Sequence, residues 1–121
     1  MPNEELLKLC QSLEEYSVDD LEKMVAQAEL DAALSDDRMQ GTIGFIVRPD
    51  FIKICTNYLR KNSARVNDII KKYHSDVTTM VYELALVVGP QLMETGQIKS
   101  MTVVVALLII IGKRGYDKFV S

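Results

Sequence analysis

The sequence predicts an all-α fold, a compact bundle of five to six helices around a central apolar helix at about residues 101–111. Three observations lead there. Apolar residues recur at three- and four-residue spacing along most of the chain, residues 101–111 are apolar on every side, and few other segments could pair as strands. A length of 121 residues suits one helical domain, 1–121, and 48% hydrophobic with 26% charged residues is a globular composition that excludes wholesale disorder.

Leu6, Leu9, Cys10 and Leu13 form one helical stripe, and Asn3 is a suitable N-cap, so the first helix is expected over about 3–16. Ser17 can accept an orphan amide, and Asp19 and Asp20 favour the positive end of a helix dipole. A second helix therefore follows with Leu21, Met24, Val25, Ala28 and Ala32 inward. Ser35-Asp36-Asp37 reads as a cap or loop, and Gly41 and Gly44 punctuate the chain before Phe45-Ile46-Val47.

Pro49 suits the first turn of a further helix. At about 100° per residue, Phe51, Cys55, Tyr58, Leu59, Val66, Ile69, Ile70 and Tyr73 fall in one arc, with Lys53, Arg60 and Lys71 opposite. The phase does not slip at Asn62 or Ser63, so a single helix from about 49 to 74 is expected. The stripe runs on through Val77, Met80, Leu84 and Val88, but one rod of that length would outgrow a compact chain of this size. A break with Ser75 as N-cap, and a stop at Gly89-Pro90, are the expected boundaries. Met101 to Ile111 carries no charge and one hydroxyl. It is expected as a buried helix capped by Ser100 and stopped at Gly112, because a strand here would find only residues 42–47 as a partner. A short segment through Tyr116 and Phe119 then folds back on the bundle.

Most searches for chemistry return nothing. The apolar run, although followed by Lys113 and Arg114, covers about 18 Å as a helix where a bilayer core needs about 30 Å, so no membrane contact is expected. His74, Ser75 and Asp76 are consecutive and cannot converge as a hydrolytic triad does. One histidine and two distant cysteines make no zinc site, and Asp31 to Asp37 lacks the alternating oxygen ligands of a calcium loop. Glu14-Glu15, Asp19-Asp20 and Asp36-Asp37 read as solvated caps and helix faces. Gly96-Gln97-Ile98-Lys99-Ser100 ends with Lys-Ser opening a helix but lacks the glycine before the lysine and the preceding strand of a phosphate loop. Neither a catalytic residue, a metal nor a cofactor is expected. Cys10 and Cys55 read as small buried hydrophobes, and the acidic start of the chain does not suit a signal peptide, so a reduced, cytoplasmic protein is expected.

Charge supplies the one candidate site. The net charge is −3, yet residues 1–40 hold three cations against eleven carboxylates (net −8), and residues 41–121 hold eleven against six (net +5). The cations concentrate on the helix expected at 50–74: Lys53, Arg60, Lys61, Arg65, Lys71 and Lys72 are the candidate partner-binding residues. The leading functional expectation is a non-enzymatic protein–protein interaction module: a small cytoplasmic adaptor, inhibitor, or assembly or regulatory factor whose partner is another protein with an acidic surface. A homodimer is also expected, from six methionines and long apolar stretches. A nucleic-acid-binding regulator using the basic helix ranks second, because the pI of about 5.1 and the lack of an arginine-rich recognition helix oppose it. A small-ligand carrier or enzyme with an unrecognised pocket ranks third.

Overall fold

The structure, a computed structural model, describes residues 3–35 and 48–116. These form six helices and no strand: α1 (Glu4–Glu14), α2 (Val18–Ser35), α3 (Phe51–Lys61), α4 (Ser63–Tyr73), α5 (Val77–Glu94) and α6 (Met101–Arg114). The expectations for residues 36–47 and for Phe119 lie outside the described residues.

The helix at the centre is α6. Val103 through Ile111 are all buried, and Val104, Val105, Ala106, Leu107, Leu108 and Ile110 expose no surface at all. Each such aliphatic side chain contributes about 1.5–3 kcal/mol on leaving water, which is why a helix apolar on every side takes the middle of a bundle. It is surrounded by α1, α2, α3 and α5. Ser100 Oγ accepts the Val103 N–H (3.4 Å) as its N-cap. No described helix is long and apolar enough to cross a membrane.

The other helices bury the stripes that the periodicity predicts. Leu6, Cys10 and Leu13 of α1, Leu21 and Val25 of α2, and Phe51, Cys55, Leu59 and Val66 of α3 and α4 join one core cluster with α5 and α6. Asn3 Oδ1 caps α1 through the Leu6 N–H (3.1 Å), and Ser17 Oγ accepts from the Asp20 N–H (3.1 Å) at the start of α2.

Five boundaries differ from expectation, each for a physical reason. The helix expected over 49–74 is two helices, because Asn62 leaves the helical region (φ −108°, ψ 29°). Its side-chain amide donates to the Tyr58 carbonyl (2.7 Å) and to Gln91 Oε1 on α5 (3.0 Å), competing with the backbone ladder as short amide side chains do. The Asn62 N–H still reaches the Tyr58 carbonyl (3.2 Å), and the Val66 N–H reaches the Asn62 carbonyl (2.9 Å), so the inward phase survives the break. Asp50, not a first-turn Pro49, begins α3: its Oδ1 accepts the Lys53 N–H (3.1 Å). At the next junction Asp76 rather than Ser75 is the N-cap, accepting from the Thr79 N–H (3.2 Å) and the Thr79 hydroxyl (2.6 Å).

Gly89-Pro90 does not end α5, which runs on to Glu94. The Leu86 carbonyl that Pro90 cannot serve lies on a face where both residues are exposed, so water can satisfy it. Gly89 is buried, and a Cβ there would stand 2.9 Å from Met101 Cε, the flexible end of that side chain. The left-handed residue that closes α5 is Gly96 (φ 79°). Gly112 likewise lies inside α6, which ends before Gly115 (φ 108°). A Cβ on Gly112 would stand 2.8 Å from the ring of Tyr116, which folds back as expected and donates its hydroxyl to the Leu108 carbonyl.

Candidate interaction surface

Helices α3 and α4 carry the six candidate cations. The residues that anchor these helices, Phe51, Cys55, Leu59 and Val66, have no exposed surface, which turns the remaining face outward. Lys53 and Arg60 lie two turns apart on one line of α3, and Arg65 and Lys72 do the same on α4, with Lys61 and Lys71 beside them. All six side chains are exposed. The break at Asn62 divides this face between two helices, and the amide pair that makes it fixes the junction to α5: Gln91 Nε2 donates to Asn62 Oδ1 (3.3 Å) and to the Val87 carbonyl (3.1 Å).

Among the described residues, Lys53, Lys61, Arg65, Lys71 and Lys72 form no salt bridge. The Lys61 ammonium stands 4.9 Å from the Tyr58 ring centroid, and the Lys72 ammonium 5.3 Å from that of Tyr73. Such exposed cation–π contacts are worth about 0.5–1 kcal/mol and leave the charge facing water. Residues 51–73 hold the six cations against one carboxylate, Asp68.

Among the described residues, the acidic helices α1 and α2 form no ion pair with Lys53, Lys61, Arg65, Lys71 or Lys72. α1 packs on α5 and α6, α2 on α6, α3 on α5 and α6, and α4 on α5, while the acidic and basic pairs hardly touch each other. Among the described residues, one hydrogen bond joins them: Glu29 Oε2 on α2 accepts the Phe51 N–H that opens α3 (2.8 Å). Among the described residues, Glu22 forms a salt bridge with Arg114 of α6 (3.3 Å), about half exposed at both ends and worth about 0–1 kcal/mol.

Other singled-out residues take structural places. His74 is the exposed C-cap of α4, its Nδ1 3.1 Å from the Lys71 carbonyl. Cys10 and Cys55 are free and buried. Burial, helped by the Glu14 charge, pushes the Cys10 thiol up to about 11, and burial pushes Cys55 up to about 12, so neither is a nucleophile near neutrality. Burial also raises the Tyr116 phenol. The Thr79 hydrogen bonds hold the exposed Asp76 carboxyl below its usual range. Glu14 departs from the expected solvated face: it is half-buried, and its Oε2 accepts the Thr78 hydroxyl across to α5 (2.5 Å). Nothing in the α1 pattern marks it, because Thr78 lies 64 residues away in sequence.

Comparison of the chain with protein-family models, with curated proteins and with solved structures yields no match.

Proposed function

We propose that this chain is a non-enzymatic interaction module whose α3–α4 face docks an acidic surface on another protein. The observation that carries the reading is the group of exposed cations, Lys53, Lys61, Arg65, Lys71 and Lys72, held on two packed helices without a carboxylate partner among the described residues. Cations held this way raise encounter rates with an anionic partner and penalise a cationic one. They add little to stability where they stand. An adaptor, inhibitor or assembly factor working in a reducing cytoplasm fits the two free buried thiols.

The test is capture from cell extract with the wild type and with K53S/R60S/K71S as baits, paired with titration of a duplex oligonucleotide. Proteins retained by the wild type, lost by the variant and released by salt are the expected result. Duplex binding whose affinity falls steeply with salt would replace the proposal with nucleic-acid recognition.

The proposed homodimer has a separate support. Leu86, Pro90 and Met93 share one exposed stripe of α5, with Leu86 43% and Met93 38% exposed. A two-fold pairing of this stripe would cover it. Sedimentation at high micromolar concentration should give a species of twice the 13.6 kDa chain mass, and a clean monomer would remove the dimer from the account.

A further inference from the structure

The basic face of α3–α4 has a counterpart of opposite sign on the same chain. Residues 3–35 hold nine carboxylates against Lys8 and Lys23. Glu14, Glu22, Glu29 and Asp31 are engaged within the molecule. The other five, Glu4, Glu5, Glu15, Asp19 and Asp20, are exposed, and among the described residues their side chains accept no hydrogen bond and form no salt bridge. Glu4 and Glu5 open α1, and Glu15, Asp19 and Asp20 gather at the turn from α1 to α2. Against these stand five exposed cations without a carboxylate partner among the described residues, Lys53, Lys61, Arg65, Lys71 and Lys72. Within one copy the two sets stay apart, because α1 and α2 dock on α5 and α6 rather than on α3 or α4.

Charges exposed in this way add little to the fold. Between copies they act differently, since fields of opposite sign on rigid helices steer an encounter and like faces repel. Setting either charged face against itself would bring like charges together, so only a head-to-tail arrangement matches acid to base. We propose that the α3–α4 face of one copy docks the exposed carboxylates of α1 and the α1–α2 turn of a second copy. This pairing rests on the docking role proposed for α3–α4 and adds a second copy of the chain as an occupant of that face. Because the two surfaces in contact differ, each docked pair keeps one face of either sign open, and longer assemblies grow from it. Pairing through the α5 stripe, in contrast, is apolar and stops at two copies.

Sedimentation of the wild type over a concentration series, at about 0.05 M and about 0.5 M salt, tests it, because screening differs strongly between the two. At the lower salt the average mass should climb past twice the 13.6 kDa chain mass as concentration rises. At the higher salt the apparent dissociation constant should rise at least about tenfold. The basic-face reversal K53E/R65E/K71E and the acidic-face reversal E5K/E15K/D20K should each lose the salt-sensitive association while melting near the wild type. Mixed in equal amounts they should regain it, since one then carries two acidic faces and the other two basic ones. Should a reversal fail to fold, the wild-type salt series alone decides. A wild-type mass that salt does not change, or folded reversals that stay apart on mixing, would overturn the proposal. If the wild type then still captures acidic proteins that K53S/R60S/K71S loses, the docking face stands and only its second-copy occupant falls; equal capture removes both.

Discussion

The two helix pairs flanking the α5–α6 hairpin are built alike and use their charges differently. On the acidic side, Glu14 takes the Thr78 hydroxyl, Glu22 pairs with Arg114, Glu29 takes the Phe51 N–H, and Asp31 accepts from Gln27 Nε2 (3.0 Å). Asp19 and Asp20 sit in the first turn of α2, where the helix dipole favours them. On the basic side, Lys61 and Lys72 stand over tyrosine rings of their own helices, and Lys53, Arg65 and Lys71 reach no carboxylate among the described residues. A segment's net charge therefore does not say where the charge acts. Glu14, Glu22, Glu29 and Asp31 are each engaged by a hydrogen bond or ion pair, whereas Lys53, Lys61, Arg65, Lys71 and Lys72 are exposed and have no carboxylate partner among the described residues. The contrast locates the proposed partner site on α3–α4.

The largest effect should come from breaking the floor that both sides share. V105D or L108D places an unpaired charge where no surface is exposed, and either should unfold the protein, seen as loss of the helical circular-dichroism signal. A folded aspartate variant would contradict the placement of α6.

Alkaline pH should come next, because it attacks both sides at one thiol each. Cys10 of α1 and Cys55 of α3 hold their protons to about 11 and about 12, against an ordinary value of 9.0. The folded state thus binds these protons more tightly than the unfolded chain. The stability they contribute is present in full below about pH 9 and is lost as pH rises through the folded values. Each unit of separation is worth about 1.4 kcal/mol, so the effect should exceed that of one hydrogen bond. Denaturant midpoints should fall between pH 9 and 11, and C55A should flatten that slope more than C10A. A midpoint that stays level across the window would contradict the burial of both thiols.

A smaller effect separates the two sides directly. E29A removes the acceptor from the N–H of buried Phe51 and should cost about 1–2 kcal/mol in denaturant unfolding. K53Q removes a charge with no ion-pair partner among the described residues and should change stability by less than about 0.5 kcal/mol. Equal costs would show that the basic side is tied into the fold as the acidic side is.

How much of this was legible in the sequence depended on whether a residue acts locally. The stripe of α1, the caps at Asn3, Ser17 and Ser100, and the all-round apolarity of α6 are local patterns and could be read directly. The break at Asn62 was hidden, because the Tyr58 and Asn62 carbonyls keep the hydrogen-bond ladder on either side and thus the phase that the reading followed. Pro90 and Gly112 look like stops, but one lies on a solvent face and the other beneath Tyr116, and both facts depend on tertiary position. Of the candidate site, all six cations were legible as a basic face, and the structure finds them exposed. That α1 and α2 form no ion pair with Lys53, Lys61, Arg65, Lys71 or Lys72 among the described residues was not legible, since segment charge carries no information about which helices pack together.

The most direct measurement of the central claim compares wild type with K53Q/R65Q/K71Q, because glutamine keeps helix propensity while removing charge. Both would be melted, then used to capture protein partners from cell extract at about 0.05 M and about 0.5 M salt, where screening differs strongly. Closely similar melting temperatures, capture of acidic proteins by the wild type at low salt, and loss of the same proteins from the variant or at high salt are expected. Equal capture by the two folded proteins at both salt concentrations would contradict the claim.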